Sequence, residues 1–187
     1  TANLQESLKV LETSLSGMQI PTVRRLMWGQ WFNTLYQLAQ YEQAVEVGKR
    51  SLAEFKDDGQ MCNNIAYTLA KHLNKLNDAL PFAEQAVASN PNQPEYIDTL
   101  GYLQFKAGQV DKAENTLLRG RDLAQASPVA SLQIAIHLAM IEVSRKNKAA
   151  AQSYMSEIER FEKSNPKQVS DASRADIEEL RKQISAL

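Results

Sequence analysis

The side chains able to do chemistry are few and scattered. The chain holds two histidines, His72 and His137, and one cysteine, Cys62. Neither histidine has a second ligand three or four residues away, the spacing that places two donors on one helix face for a metal. His72 reads as a solvated or carbonyl-bonding residue at a helix end, and His137, between Ile136 and Leu138, as a packing or groove residue. Cys62 reads as a small apolar filler. One cysteine rules out an internal disulfide and a multi-cysteine zinc site, and leaves the cytoplasm and the periplasm both open. The carboxylate pairs Asp57-Asp58 and Glu178-Glu179 read as solvated charges, and Trp28 and Trp31 as core. No glycine-rich phosphate loop or nucleophile elbow occurs. The expectation is no enzyme, no cofactor and no metal.

Composition narrows the class further. In 187 residues, 43% are apolar and 23% charged, as in ordinary folded chains. With 21 basic and 22 acidic residues the net charge is −1, so no surplus points to nucleic acid or an anionic membrane. No apolar run approaches the roughly 18 residues that suggest a membrane span, and no direct membrane insertion is expected. The first residue is Thr1 rather than Met, which suggests an excised or processed piece, so a missing leader says little about location.

The elements that must position these residues are helices. Leu4, Leu8, Leu11 and Leu15 form one stripe over residues 3–16, stopped by Gly17 and Pro21. Further helices are expected over 22–38, with Thr22 as cap, and over 42–56, 60–73 and 78–89. Asn77 or Asp78 should cap the last of these and Pro81 lie in its first turn. They continue over 94–106, 111–125 (capped by Asp111), 129–145, 148–163 and 171–186. No stretch alternates with period two for long enough to be a strand.

The helices repeat. Phe32, Ala66, Gly101 and Ala139 are spaced by 34, 35 and 38 residues, and Ala44, Ala79, Ala113 and Ala151 by 35, 34 and 38. Small residues at fixed register let helices approach closely, and hairpins that cannot bury an apolar face alone must stack. The last, longer interval is expected to be absorbed by the loop at Ser127-Pro128.

The pattern of Trp28 and Trp31, Leu100-Gly101, Gly108, Ala113, Ala86 and Pro91 resembles the tetratricopeptide repeat (TPR) family, and the runs 63–67 and 96–101 resemble its bacterial members. The resemblance implies an all-α fold: a right-handed α-solenoid of antiparallel helix hairpins. It assigns one domain over 1–187, with a half repeat at 3–16, repeats at 22–58, 60–91, 94–126 and 129–163, and a capping helix at 171–186. It also implies a non-enzymatic scaffold that binds a peptide segment or helix of a partner protein in a groove lined by the first helix of each hairpin. Residue by residue, that face takes Asn33, Tyr36 and Gln37, then Asn63, Asn64, Tyr67 and Lys71. It continues through Glu95, Asp98, Tyr102 and Phe105 to Ile136, His137 and Met140. TPR domains that clamp a C-terminal carboxylate carry two asparagines and three basic residues. Asn33 and Asn64 match the asparagines, but Gly29, Glu95 and Thr99 stand at the basic positions, so that mode is not expected. The alternative is a structural one: a segment of a larger solenoid, or a homo-oligomer formed through the leucine stripe of residues 4–15. By resemblance to bacterial relatives, such an assembly factor would belong to envelope or polysaccharide-export machinery.

Overall fold

The computed structural model describes residues 2–187, and ten α-helices are found among them. They are α1 (Ala2–Gly17), α2 (Pro21–Gln37), α3 (Tyr41–Glu54), α4 (Gly59–Lys71), α5 (Leu76–Ser89), α6 (Pro94–Lys106), α7 (Val110–Leu123), α8 (Pro128–Ser144), α9 (Lys148–Ser164) and α10 (Asp171–Ala186). A single 3₁₀ turn, Ala124–Ala126, follows α7, and another, Pro166–Gln168, precedes α10. The described residues contain no strand. Two compact units form, Thr1–Asn90 and Pro91–Leu187. The first pairs α2 with α3 and α4 with α5, with α1 against α2. The second pairs α6 with α7 and α8 with α9, and α10 packs on both α8 and α9.

Helix starts and stops follow local chemistry. Prolines occupy the first position of α2, α6 and α8, where a missing N–H costs nothing. Asp58 and Ser170 accept from the amides of Met61 and Ser173 and cap α4 and α10. Each hairpin turns through one residue with positive φ: Ala39 (56°), Asn74 (53°), Gly108 (76°) and Lys146 (58°). The following amides close back over the helix end, as Gln109 does on Gln104 and Asn147 on Glu142. These turn residues keep the same 35, 34 and 38 spacing as the small residues.

Several local expectations are corrected. Helix α2 begins at Pro21 with Ile20 at its cap, one residue before Thr22. Helix α5 begins at Leu76 after Lys75, so neither Asn77 nor Asp78 caps it, and Pro81 lies inside the helix, beyond the first turn. Gln109 rather than Asp111 precedes α7. The Asp111 carboxylate instead accepts from Arg145 at 2.8 Å. The long last interval is taken up within a helix: α8 has 17 residues where α4 and α6 have 13, about one extra turn.

The small residues lie where close approach demands them. Ala44, Ala79, Ala113 and Ala151 are all fully buried, as are Ala66 and Ala139. A methyl built on Gly101 would stand 2.6 Å from Leu117 Cγ, so α6 and α7 touch there with no room for a side chain. Helix α8 is covered on two sides. Its Ile134, Leu138 and Ile141 join Ala113 and Leu117 of α7, while Leu132, Ile136 and Ala139 join Ile158 of α9 and Ile177 and Leu180 of α10. Ile136 therefore belongs to the core and not to the groove. On α1, Leu15 is buried and Leu4, Leu8 and Leu11 are half-buried. The exposed apolar residues of that region are Val10, Ile20 and Leu26. Trp28 and Trp31 stack with their rings parallel, Arg50 lies over both, and Trp28 donates to Glu54.

Candidate protein-interaction site

The expected groove residues fall into two groups, one on each unit. In the first unit, α2 and α4 enclose a pocket of about 200 Å³ lined by Phe32, Asn33, Tyr36, Asn63, Asn64, Tyr67 and Thr68. Five of the seven expected residues of this unit's groove are in that lining; the other two, Gln37 at the end of α2 and Lys71 one turn beyond Tyr67 on α4, are exposed. The periodicity explains the gathering. Asn33 and Tyr36, and Asn63, Asn64 and Tyr67, lie three or four residues apart and share a helix face. The Asn64 carboxamide oxygen accepts from Gln60 at 2.9 Å. The Asn63 carboxamide oxygen is buried and has no hydrogen-bond partner among the described residues. A buried acceptor left unpaired costs about 1–3 kcal/mol.

Beside this pocket lies an aromatic cluster with His72 at its centre. His72 Nε2 and the Tyr36 hydroxyl share a 2.7 Å hydrogen bond. The imidazole stacks on Tyr41 at 3.9 Å between centroids and meets Tyr67 edge-on at 6.2 Å. The expected carbonyl-bonding or solvated histidine is thus a bracket for two groove tyrosines. Burial, and then Lys71, holds His72 below its ordinary value. Burial, with Tyr67 and Tyr41 adding to it, pushes the Tyr36 phenol up to about 12.

In the second unit the groups divide differently. His137 donates from Nδ1 to Asp98 Oδ1 at 2.7 Å, and each residue is only 8% exposed. Tyr102 stacks on the His137 ring with centroids 4.6 Å apart. Asp98 and His137 therefore tie α6 to α8 and give Tyr102 a platform. Glu95 is exposed and accepts from Gln93 and from the Ser127 hydroxyl. Phe105 and Met140 line a second pocket, of about 390 Å³, with α10 as its far wall. The three positions that a carboxylate clamp would need basic hold Gly29, this exposed Glu95 and a buried Thr99, whose hydroxyl bonds the Glu95 carbonyl. A free carboxylate would meet a like charge there.

His72 and Tyr41 were not among the expected groove residues. Their signal is the repeat length itself: Tyr36 and His72 are 36 residues apart, and Asp98 and His137 are 39 apart. Polar partners separated by one repeat face each other on successive first helices. No group of three or more His, Cys, Asp or Glu residues able to hold a metal is found among the described residues.

The fold and its register now meet an independent comparison. A family model described as tetratricopeptide repeat matches residues 70–136, the span from the end of α4 into α8. That span, residues 70–136, matches the tetratricopeptide repeat family. Solved TPR-type structures agree over most of its length. The MamA RS-1 ArsTM double mutant shares 20% identity, covers 86% of each chain and superposes with a TM-score of 0.71. YrrB, described as a TPR protein with an unusual peptide-binding site, shares 18% identity over 89% of this chain and 86% of its own, with a TM-score of 0.65. The pilF protein of Pseudomonas aeruginosa shares 14% identity over 89% and 77%, with a TM-score of 0.69. At these identities the structures establish the fold alone. No curated protein matches the chain. The all-α TPR solenoid class holds, and with it the general role of such folds as protein-interaction scaffolds, which are generally non-enzymatic. No helix among the described residues is long and apolar enough to cross a membrane.

Proposed function

We propose that this chain is a non-enzymatic scaffold that takes a peptide segment or helix of a partner protein along the first helices of its hairpins. Asn33, Asn64, Tyr67, Tyr102 and Phe105 are the principal contacts. The observation that carries the reading is the α2–α4 pocket, lined by three asparagines and two tyrosines. A carboxamide offers both donors and an acceptor, the complement of a peptide group. Tyrosine adds large contact area for few rotatable bonds. Tyr36 and Tyr67 are already braced by His72, so little ordering remains to be done when a peptide arrives. YrrB shows that a chain of this fold carries a peptide-binding site. In this reading Asp98 and His137 act on the partner only through Tyr102, and Glu95 and Lys71 lie at the margins of the face.

The test is selection from a displayed random-peptide library against the whole chain, followed by affinity measurement on the selected peptides. Replacing Asn33 and Asn64 together by alanine should weaken binding by roughly tenfold or more, the value of one to two lost amide hydrogen bonds. The melting temperature should be nearly unchanged, since Asn33 is exposed and Asn64 half-buried. Peptides that bind wild type and double variant equally would remove the groove from consideration.

A further inference from the structure

The second pocket differs from the first in its chemistry. Its floor is apolar, built from Phe105 of α6, Met140 and Val143 of α8, and Leu180 of α10. The two charged side chains that line it, Asp176 and Glu179, are both carboxylates, and both stand on α10. Glu179 is exposed, and one of its oxygens accepts from Gln183 at 2.9 Å, which orients the carboxylate at the rim. Arg181, the nearest arginine in sequence, is drawn to Glu159, Glu162 and Glu178, away from Glu179. The pocket of about 390 Å³ is roomy enough for more than one apolar side chain. An apolar floor beside an acidic rim selects a side chain of matching pattern: apolar at the tip of the contact, positive beside it.

We infer that the pocket between α6, α8 and α10 receives an apolar side chain of a partner peptide flanked by lysine or arginine, with α10 supplying the charge selection. The helix that closes the core of the second unit through Ile177, Leu180 and Ile184 thus also reads the partner with the flanking positions Asp176 and Glu179. This inference rests on the peptide-scaffold reading and names the class of peptide.

Fluorescein-labelled peptides with a central leucine pair flanked by lysine, by serine or by glutamate decide it, titrated by anisotropy against the whole chain at low and high salt. The lysine-flanked peptide should bind about tenfold tighter than the glutamate-flanked one at low salt, the worth of one exposed ion pair to Glu179 gained together with one like-charge contact avoided, and the gap should narrow as salt rises. Glu179→Gln should reduce the gap, and Glu179→Lys should close or reverse it. Equal affinities across the peptides, or a lysine preference untouched by Glu179→Lys, overturns the inference and leaves the scaffold reading standing. Failure of every peptide to bind, including those selected from the library, removes both.

Discussion

The contact of Gly101 with Leu117 offers a quantitative test of the hairpin packing. A methyl on Gly101 would lie 2.6 Å from Leu117 Cγ and 2.7 Å from Cδ2, well inside van der Waals contact, with the Ala113 carbonyl oxygen at 3.5 Å. Leu117 is fully buried, so it has nowhere to turn. Gly101→Ala should therefore incur an overpacking cost of about 1–3 kcal/mol, of which improved helix propensity returns about 1 kcal/mol. Leu117→Ala alone should cost about 2–5 kcal/mol by opening a cavity. The double variant is the informative one. Its new methyl enters the space the leucine has vacated, so the two losses should fall short of adding by about 1–3 kcal/mol. Urea unfolding followed by circular dichroism on the four proteins, fitted with a common denaturant slope, measures this coupling. Additivity to within about 0.5 kcal/mol, or a Gly101→Ala protein more stable than wild type by the full propensity gain, would refute the close crossing.

Two further predictions follow from the turns and the aromatic cluster. Lys146 occupies the left-handed conformation that Gly108 fills in the preceding hairpin. Lys146→Gly should therefore stabilise by about 0.5–1 kcal/mol, the relieved Cβ strain less the entropy of a glycine, and Gly108→Ala should destabilise by about 1 kcal/mol. Thermal melts that move opposite to these signs would contradict the turn assignment. His72 is held below its ordinary value of 6.5, so the folded chain favours the neutral ring. Its contribution is complete above that value and is lost as pH falls through the lowered one. The wild-type melting temperature should accordingly drop more than that of His72→Asn as the pH is lowered from about 7 to about 5. Parallel profiles would deny His72 its bracing role.

Much of the architecture was legible because the repeat is written in local terms. A small residue at fixed register, a proline at a first helical position and a break such as Asn90-Pro91 act within a few residues of themselves, so spacing alone reveals them. What spacing cannot distinguish is where an insertion goes. Three or four extra residues before Ala139 read the same whether they lengthen a loop or extend α8, and only the burial of Ala130 and Leu132 on α8 decides for the helix. Caps failed for a related reason. Asp111 has the chemistry of an N-cap, but an arginine 34 residues away makes a different use of it. The face of the first helices was legible through periodicity, yet its division of labour was not. Asp98 and His137 share that face with Tyr102 and are buried by pairing with each other, a contact set by helix stacking and not by either residue's own neighbourhood.

Cys62 is fully buried on α4, and burial, followed by the Asp58 carboxylate, pushes its thiol up to about 11. At neutral pH it is therefore protonated and shielded, and it should ignore thiol-directed reagents under native conditions. The wild-type chain can then serve unaltered as the background for site-directed spin labelling. Cysteines placed at exposed positions such as Gln37 on α2 and Lys182 on α10 would take nitroxide labels selectively. Pulsed dipolar spectroscopy on that pair would yield a distance distribution across the chain, and its narrowing on peptide addition would report directly on how a ligand orders the array.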